Sequence, residues 1–318
     1  MFLGIEIGGT KLQLGLGRGD GHILALWRGT VNASEGSEGI REQIVRAVPE
    51  LLAKAGVDRG SLKGAGIGFG GPTDDHSNTV ITSHQIEGWD GFPLADWVSD
   101  VVGVPAALCN DADVAGLAEA LFGAGKGLSP VFYITVGTGV GGGLIIDGQI
   151  YRGVGRGAAE IGHMQIVRTN ESGEAELAAL ESVASGWGIA ATARNHLAYS
   201  DEWRTRLREL LPEDITAVIV ANEARGGDEF ARHILEGAHW GIQQALRQVS
   251  LLLCPRRIVI GGGVSLLGED LFFEPIRRRV KGQEFPPFAG LTDIVPAALG
   301  EEVVVHGALA LARQTFGG

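Results

Sequence analysis

Short hydrophobic runs broken by glycine clusters open the chain, and they predict strands joined by tight turns. Phe2–Ile7 is an apolar run stopped by Gly8-Gly9-Thr10-Lys11. Leu12–Gly17 alternates and predicts a second strand, and Ile23–Trp27 predicts a third. From Gly39 to Ala53 the spacing turns helical, with Ile40, Ile44, Val45, Val48, Leu51 and Leu52 on one side. Gly64–Gly68 reads as a short buried strand before the loop Gly70-Gly71-Pro72. Val104–Cys109 reads as another strand, running into Asn110-Asp111, which suits the N-cap of a helix over Ala112–Phe122.

The opening pattern then returns. Val131–Val136 is apolar and β-branched, Gly137-Thr138-Gly139-Val140-Gly141-Gly142-Gly143 follows, and Leu144–Ile146 resumes as a strand. Asp147-Gly148 is a type I′ hairpin signal. The match between Ile5-Glu6-Ile7-Gly8-Gly9-Thr10 and Ile134-Thr135-Val136-Gly137-Thr138-Gly139 suggests a duplicated strand–turn–strand unit. Helical stretches are predicted at 180–184, 187–196, 216–224 and 228–253, a strand at Arg257–Ile260 ending in Gly261-Gly262-Gly263, and a closing helix at 303–313. Arg168–Glu176 reads as polar and irregular.

Composition sharpens this picture at glycine. There are 51 in 318 residues, more than double the typical ~7%, and they cluster in loops. The length suggests about two domains. Net charge is −12, so nucleic acid and anionic membranes are not expected partners. Cys109 and Cys254 have no CxxC spacing, and the first residues carry neither a signal-peptide pattern nor an apolar span. The expectation is a cytoplasmic protein.

Glycine turns let backbone N–H groups approach a ligand closely, and two matched turns, each with a threonine, suit the clamping of phosphates. The Walker pattern is absent, as is GxGxxG at the first strand-to-helix turn. Glu6-Ile7-Gly8-Gly9-Thr10-Lys11 resembles the first phosphate motif, DxGGTK, of the ROK sugar kinases, members of the actin-like ATPase superfamily. Val136–Gly143 is similar to the second phosphate motif, and Ile258–Ser265, containing Gly261, Gly262 and Gly263, to the adenosine motif. Asn110-Asp111 matches the strand end that carries the catalytic Asp. Glu160-Ile161-Gly162-His163 matches the ExGH sugar-contact segment, and Leu180–Gly186 the stretch holding a further sugar-contacting Glu, here Glu181. The motifs span almost the whole chain in the family's order.

The resemblance implies an α/β fold of two actin-like ATPase (ribonuclease H-like) domains with an interdomain cleft. The small domain would take residues 1–113 plus 302–318, and the large one 114–301. It implies transfer of the γ-phosphoryl group of ATP, with Mg²⁺, to a hexose 6-hydroxyl, glucose first, in a homodimer. Asp111 would be the general base, with Asn110, Glu160, His163, Glu181 and Gln85 orienting the sugar. Gly8, Gly9, Thr10, Lys11, Gly137, Thr138 and Gly139 would hold phosphates, and Gly261–Gly263 the adenosine. Glu6 would meet magnesium through a water. Other readings are a kinase for N-acetylmannosamine, mannose or fructose, polyphosphate as donor, and a non-catalytic sugar sensor. The family's repressors would need a DNA-binding module ahead of the first hairpin, and here the motif begins at Glu6.

Three departures from the family pattern stand out. Glu6 replaces the first motif's Asp, a shift of ~1.5 Å that bears on catalytic positioning. Gln85, in Ser83-His84-Gln85-Ile86-Glu87-Gly88-Trp89, replaces a sugar-contacting Asn of SPNLPGW. The CxCGxxGC zinc motif is missing, since Met164–Leu180 contains no cysteine, so no zinc is expected and the rigidity of this segment must come from elsewhere. Taken alone, Asp111 could be a helix cap, Asp113 a first-turn acid, Glu160 and His163 a surface pair, Glu181 an exposed helix acid, Trp89 core packing, and Arg277-Arg278-Arg279-Lys281 a solvated helix face.

Overall fold

A computed structural model describes every residue except Asp75, His84, Arg156, Glu171 and Ser172. The chain runs β1 (Phe2–Ile7), β2 (Lys11–Gly17), β3 (Ile23–Thr30), α1 (Gly36–Ala55), β4 (Gly64–Phe69), β5 (Thr73–Asp74), β6 (Thr79–Val80), α2 (Leu94–Val102), β7 (Ala106–Asn110) and α3 (Asp111–Leu121). It continues through β8 (Val131–Val136), β9 (Val140–Ile146), β10 (Gln149–Ile150), β11 (Gln165–Thr169), β12 (Ala175–Ala179), α4 (Leu180–Ala184) and α5 (Gly186–Tyr199). Then come α6 (Ala217–Arg225), α7 (Glu229–Leu253), β13 (Arg257–Gly261), α8 (Glu274–Lys281), β14 (Asp293–Pro296) and α9 (Val303–Phe316).

Two five-stranded sheets carry the fold, ordered β3-β2-β1-β4-β7 and β10-β9-β8-β13-β14. In both, an antiparallel hairpin at one edge meets parallel strands at the other: β1 pairs antiparallel with β2 and parallel with β4, and β13 pairs parallel with β14. The same strand order appears twice, as the repeated glycine-turn pattern suggests. Asp147 and Gly148 have φ of 52° and 72°, as the type I′ turn between β9 and β10 requires.

The chain divides into two compact units. One is built from Met1–Tyr133, Gly143–Ala159 and Ala297–Gly318, the other from Ile134–Gly142 and Glu160–Pro296. In the first unit every residue of β1 and β4 is buried, because helices cover the sheet and its strands need no polar face. Leu12, Leu14 and Leu16 of β2 pack with Ile40, Ile44 and Leu51 of α1 in the core. α9 rests directly on the sheet backbone: a Cβ on Gly66 would lie 1.9 Å from the Ala308 carbonyl oxygen. Part of the glycine excess is therefore helix-on-sheet contact. Trp89 is core, as expected, with its ring edge-on to Phe69 and Phe92 at 5.5 and 5.4 Å. Glu119 of α3 is fully buried, and its carboxylate accepts the Ala124, Ala298 and Leu299 N–H groups at 2.7, 2.9 and 2.9 Å.

The second unit corrects one expectation. The two ends of Arg168–Glu176 are regular: Arg168 and Thr169 finish β11, Ala175 and Glu176 begin β12, and the two strands pair antiparallel from Gln165↔Ala179 to Thr169↔Ala175. The alternation is hidden because Ile166 is buried while Val167 and Leu177 are exposed on a strand pair with little core contact. α7 is the long helix of this unit, capped by Asp228, whose Oδ1 accepts the Ala231 N–H at 2.8 Å.

Candidate active site

The carboxyl ends of β1, β4 and β7 bring the first unit's polar residues together, as expected for a parallel α/β sheet. β7 ends at Asn110, and α3 begins at Asp111. The two readings of Asn110-Asp111 separate here. Asn110 is the cap: its Oδ1 accepts the Ala112 N–H at 2.8 Å, and its Nδ2 donates to the Gly71 carbonyl at 3.0 Å. Asp111 is the first helical residue, so its carboxylate is not the cap. It lies over the β4 end: a Cβ on Gly70 would sit 3.4 Å from Asp111 Oδ2 and 3.6 Å from Gly8 Cα. The Gly70 N–H donates to the Ile7 carbonyl at 2.8 Å, which holds that loop against the first glycine turn.

Glu6 points into this neighbourhood from β1. Its Oε1 lies 2.9 Å from Lys11 Nζ, and Lys11 also donates to the Glu301 carbonyl at 3.1 Å. Oε2 is buried without a hydrogen-bond partner. Burial pushes the Glu6 carboxyl up to about 7, outweighing the Lys11 ammonium, with Asp111 and Glu302 adding like charge. Gly8 donates its N–H to the Lys11 carbonyl at 3.0 Å, closing the turn, and Thr10 stands exposed at its tip. Gln85 reaches the same turn, since a Cβ on Gly9 would lie 1.5 Å from Gln85 Oε1. His84 beside it lies outside the described residues. Asp113 is an acid of the first turn of α3, as expected. It is buried, and a Cβ on Gly143 would come within 3.2 Å of its Oδ1.

In the second unit the Gly137–Gly139 turn and the Gly261–Gly263 turn leave neighbouring strands, β8 and β13. Gly137 donates its N–H to the Gly139 carbonyl at 2.9 Å. Gly262 has φ 88°, and a Cβ there would lie 2.5 Å from the Val136 carbonyl oxygen, so only glycine suits the place. A Cβ on Gly137 would meet nothing nearer than the Gly263 nitrogen at 3.9 Å, and Thr138 and Gly263 are exposed. Glu181, on α4, is half-buried, and its Oε2 accepts the Val140 N–H at 2.8 Å, so it also shapes the glycine turn. Glu160 and His163 are not on an α-helix. They bracket a 3₁₀ turn, with the His163 N–H donating to the Glu160 carbonyl at 3.2 Å and both residues exposed. Gly162 packs that turn on β9: a Cβ would lie 2.1 Å from the Val140 carbonyl oxygen.

Glu6, Gly8, Gly9, Thr10, Lys11, Gln85, Asn110 and Asp111 therefore share one neighbourhood in the first unit. Gly137, Thr138, Gly139, Gly261, Gly262 and Gly263 share another in the second, where Glu181 and the Glu160–His163 turn both contact Val140. Two contacts escape sequence reasoning: the Gly186 N–H, which donates to the Gly137 carbonyl at 2.8 Å, and the Glu301 carbonyl on Lys11. Gly186 closes a recognised stretch, which is its one signal. Glu301 has no local signal, being 290 residues from its partner.

The ROK family sequence model matches residues 2–315. A glucokinase of Halalkalibacterium halodurans is 31% identical, covering 98% of this chain and 95% of its own. A glucokinase of Streptomyces coelicolor is 33% identical over 98% and 97%. A solved ROK family glucokinase from Streptomyces griseus, in complex with glucose and AMPPNP, matches with a TM-score of 0.78 at 31% identity, covering 98% of this chain and 99% of its own.

Proposed function

The chain belongs to the ROK family, and we propose that it is an ATP-dependent glucokinase. One observation carries the reading most directly: Asn110 takes the capping duty at the β7 end, and the Asp111 carboxylate stands over Gly70 beside the first glycine turn. Asp111 accepts the proton of the sugar 6-hydroxyl as that oxygen bonds to the γ-phosphorus and ADP departs. Asn110, Gln85, Glu160, His163 and Glu181 orient the sugar in this reading.

Phosphoryl transfer asks the protein chiefly for positioning and charge neutralisation. The backbone of Gly8–Lys11 and the Lys11 ammonium supply donors to the phosphates. The Gly137–Gly139 backbone and Thr138 supply more, and Gly261–Gly263 takes the adenosine. The site chemistry fits magnesium held at one remove: Glu6 Oε2 is a buried carboxylate oxygen with no hydrogen-bond donor of its own, which a metal-bound water would satisfy. Magnesium, when bound, neutralises charge on the phosphates.

Among the described residues no helix is long and apolar enough to cross a membrane. A cytoplasmic homodimer without nucleic-acid partners completes the reading, on the strength of the family resemblance and the charge of −12.

The test is a matrix of phosphorylation rates, with ATP and polyphosphate as donors against glucose, mannose, fructose and N-acetylmannosamine. Glucose with ATP is expected to give the highest kcat/KM. Sugar binding without phosphate transfer would show a sensor instead.

A further inference from the structure

Between His163 and Glu181 the family resemblance implies a zinc held by cysteines, and this chain does not fit one. Its two cysteines are Cys109, at the end of β7, and Cys254, just after α7. Among the described residues no group of three or more His, Cys, Asp or Glu side chains is placed to hold a metal ion. The segment is instead the β11–β12 hairpin. The Leu180 N–H closes its base on the Met164 carbonyl at 2.9 Å, and Arg168 pairs with Glu176 across it at 2.6 Å.

A two-stranded hairpin is marginal by itself and exposes edge N–H and C=O groups. One side chain of α7 takes both groups of one β11 edge residue. Gln244 Oε1 accepts the Val167 N–H at 3.0 Å, and its Nε2 donates to the Val167 carbonyl at 2.8 Å, as a neighbouring strand would. Trp240, four residues earlier and so on the same helix face, donates from its indole to that carbonyl at 3.2 Å. Ile166 faces the other way and seats on α7 at Gly241, where a Cβ would lie 2.8 Å from its Cδ1. β11 starts two residues after His163, and β12 ends two residues before Glu181.

We infer that Gln244 is a positioning residue for the sugar. It docks the hairpin on α7 and so fixes His163 and Glu181 at its two ends, the task a thiolate-held zinc would otherwise serve. This rests on the proposed sugar-binding role of those two residues. Gln244 acts through the hairpin and makes no contact with the reacting atoms.

The experiment compares wild type with Gln244→Leu, which removes both hydrogen bonds, and Gln244→Glu, which keeps the acceptor and loses the donor. Losing the bidentate contact should raise the glucose KM by about tenfold, with kcat within about threefold of wild type. Gln244→Glu should fall between. Hydrogen exchange should quicken at the Val167 amide and across residues 160–181 in the same order, while ATP affinity stays put. Quickened exchange with an unchanged KM would make the hairpin contact merely structural and overturn the proposal, as would an unchanged Val167 amide. If Gln244→Leu does not fold, Gln244→Glu decides by the same readouts. If wild type phosphorylates no sugar, calorimetry with glucose replaces KM. Tight binding that weakens in the variants then supports the positioning role while the kinase reading fails. No sugar binding by wild type ends both.

Discussion

Glu6 lies in a strand buried on both faces, and desolvation holds its carboxyl near 7 although Lys11 is 2.9 Å away. Its ordinary value is 4.5, so between 4.5 and 7 the folded chain binds this proton more tightly than the unfolded chain does. Stability from this group is whole below 4.5 and is lost as pH rises through about 7. Glu6→Gln cannot titrate, so its melting temperature relative to wild type should climb across that interval when measured without magnesium. A constant difference would contradict the buried charge. Asp111→Asn keeps the shape of the helix start but cannot take a proton. Its kcat should fall ~10²–10⁴-fold with glucose affinity nearly unchanged, and retention of a tenth of the wild-type rate would remove Asp111 from the role of base. These two residues are legible in the sequence because each sits beside a glycine turn or a cap signal. The division of labour between Asn110 and Asp111 is not, because which of two adjacent polar residues caps a helix depends on where the strand ends. The burial of Asp113 escapes for a related reason: Gly143, which packs close against it, is remote in sequence.

Elements whose pattern has a clear period are legible, and those defined by contact with another element are not. β1, β2, α1 and α7 follow from apolar spacing. β11 and β12 do not, since their stability comes from Gln244, Trp240 and a shallow seat on α7. A structural zinc contributes folding free energy outright. With a hydrogen-bonded dock in its place, chelators should leave the melting temperature unchanged, and a drop on adding a chelator, restored by zinc, would contradict the hairpin account. The contact of α9 with the first sheet gives a sharper steric test. Gly66→Ala would place a methyl group 1.9 Å from the Ala308 carbonyl oxygen, backbone that cannot swing aside. Denaturant titration should show a loss of about 3 kcal/mol or more. Gly60→Ala, where a Cβ would meet nothing within 4 Å, should be close to neutral.

For the molecule as a whole, the sequence displays the motifs in order and the repeated glycine-turn unit. The return of residues 302–318 to the opening domain comes only through the family resemblance, and the residues that meet there leave no mark in the sequence. Lys11 meets the Glu301 carbonyl, Arg28 pairs with Glu302, and Glu119 accepts from Ala298 and Leu299, all across most of the chain length. Loop closure over such distances is set by three-dimensional packing, and no local pattern records it. The first unit is consequently assembled from three stretches, of which Ala297–Gly318 is made last. On a ribosome, chain emerges at ~5–20 residues per second, and domains fold as they become complete. β1, β2 and β4 would emerge early yet wait for α9, with one face of an apolar sheet uncovered while everything from the Glu160–His163 turn to β14 is still being translated. The second unit, nearly continuous from Glu160 to Pro296, has its parts in hand sooner. Of the two units, the one whose strands emerge first is thus the one completed last, and during that wait its bare sheet is apolar surface of the kind chaperones exist to shield.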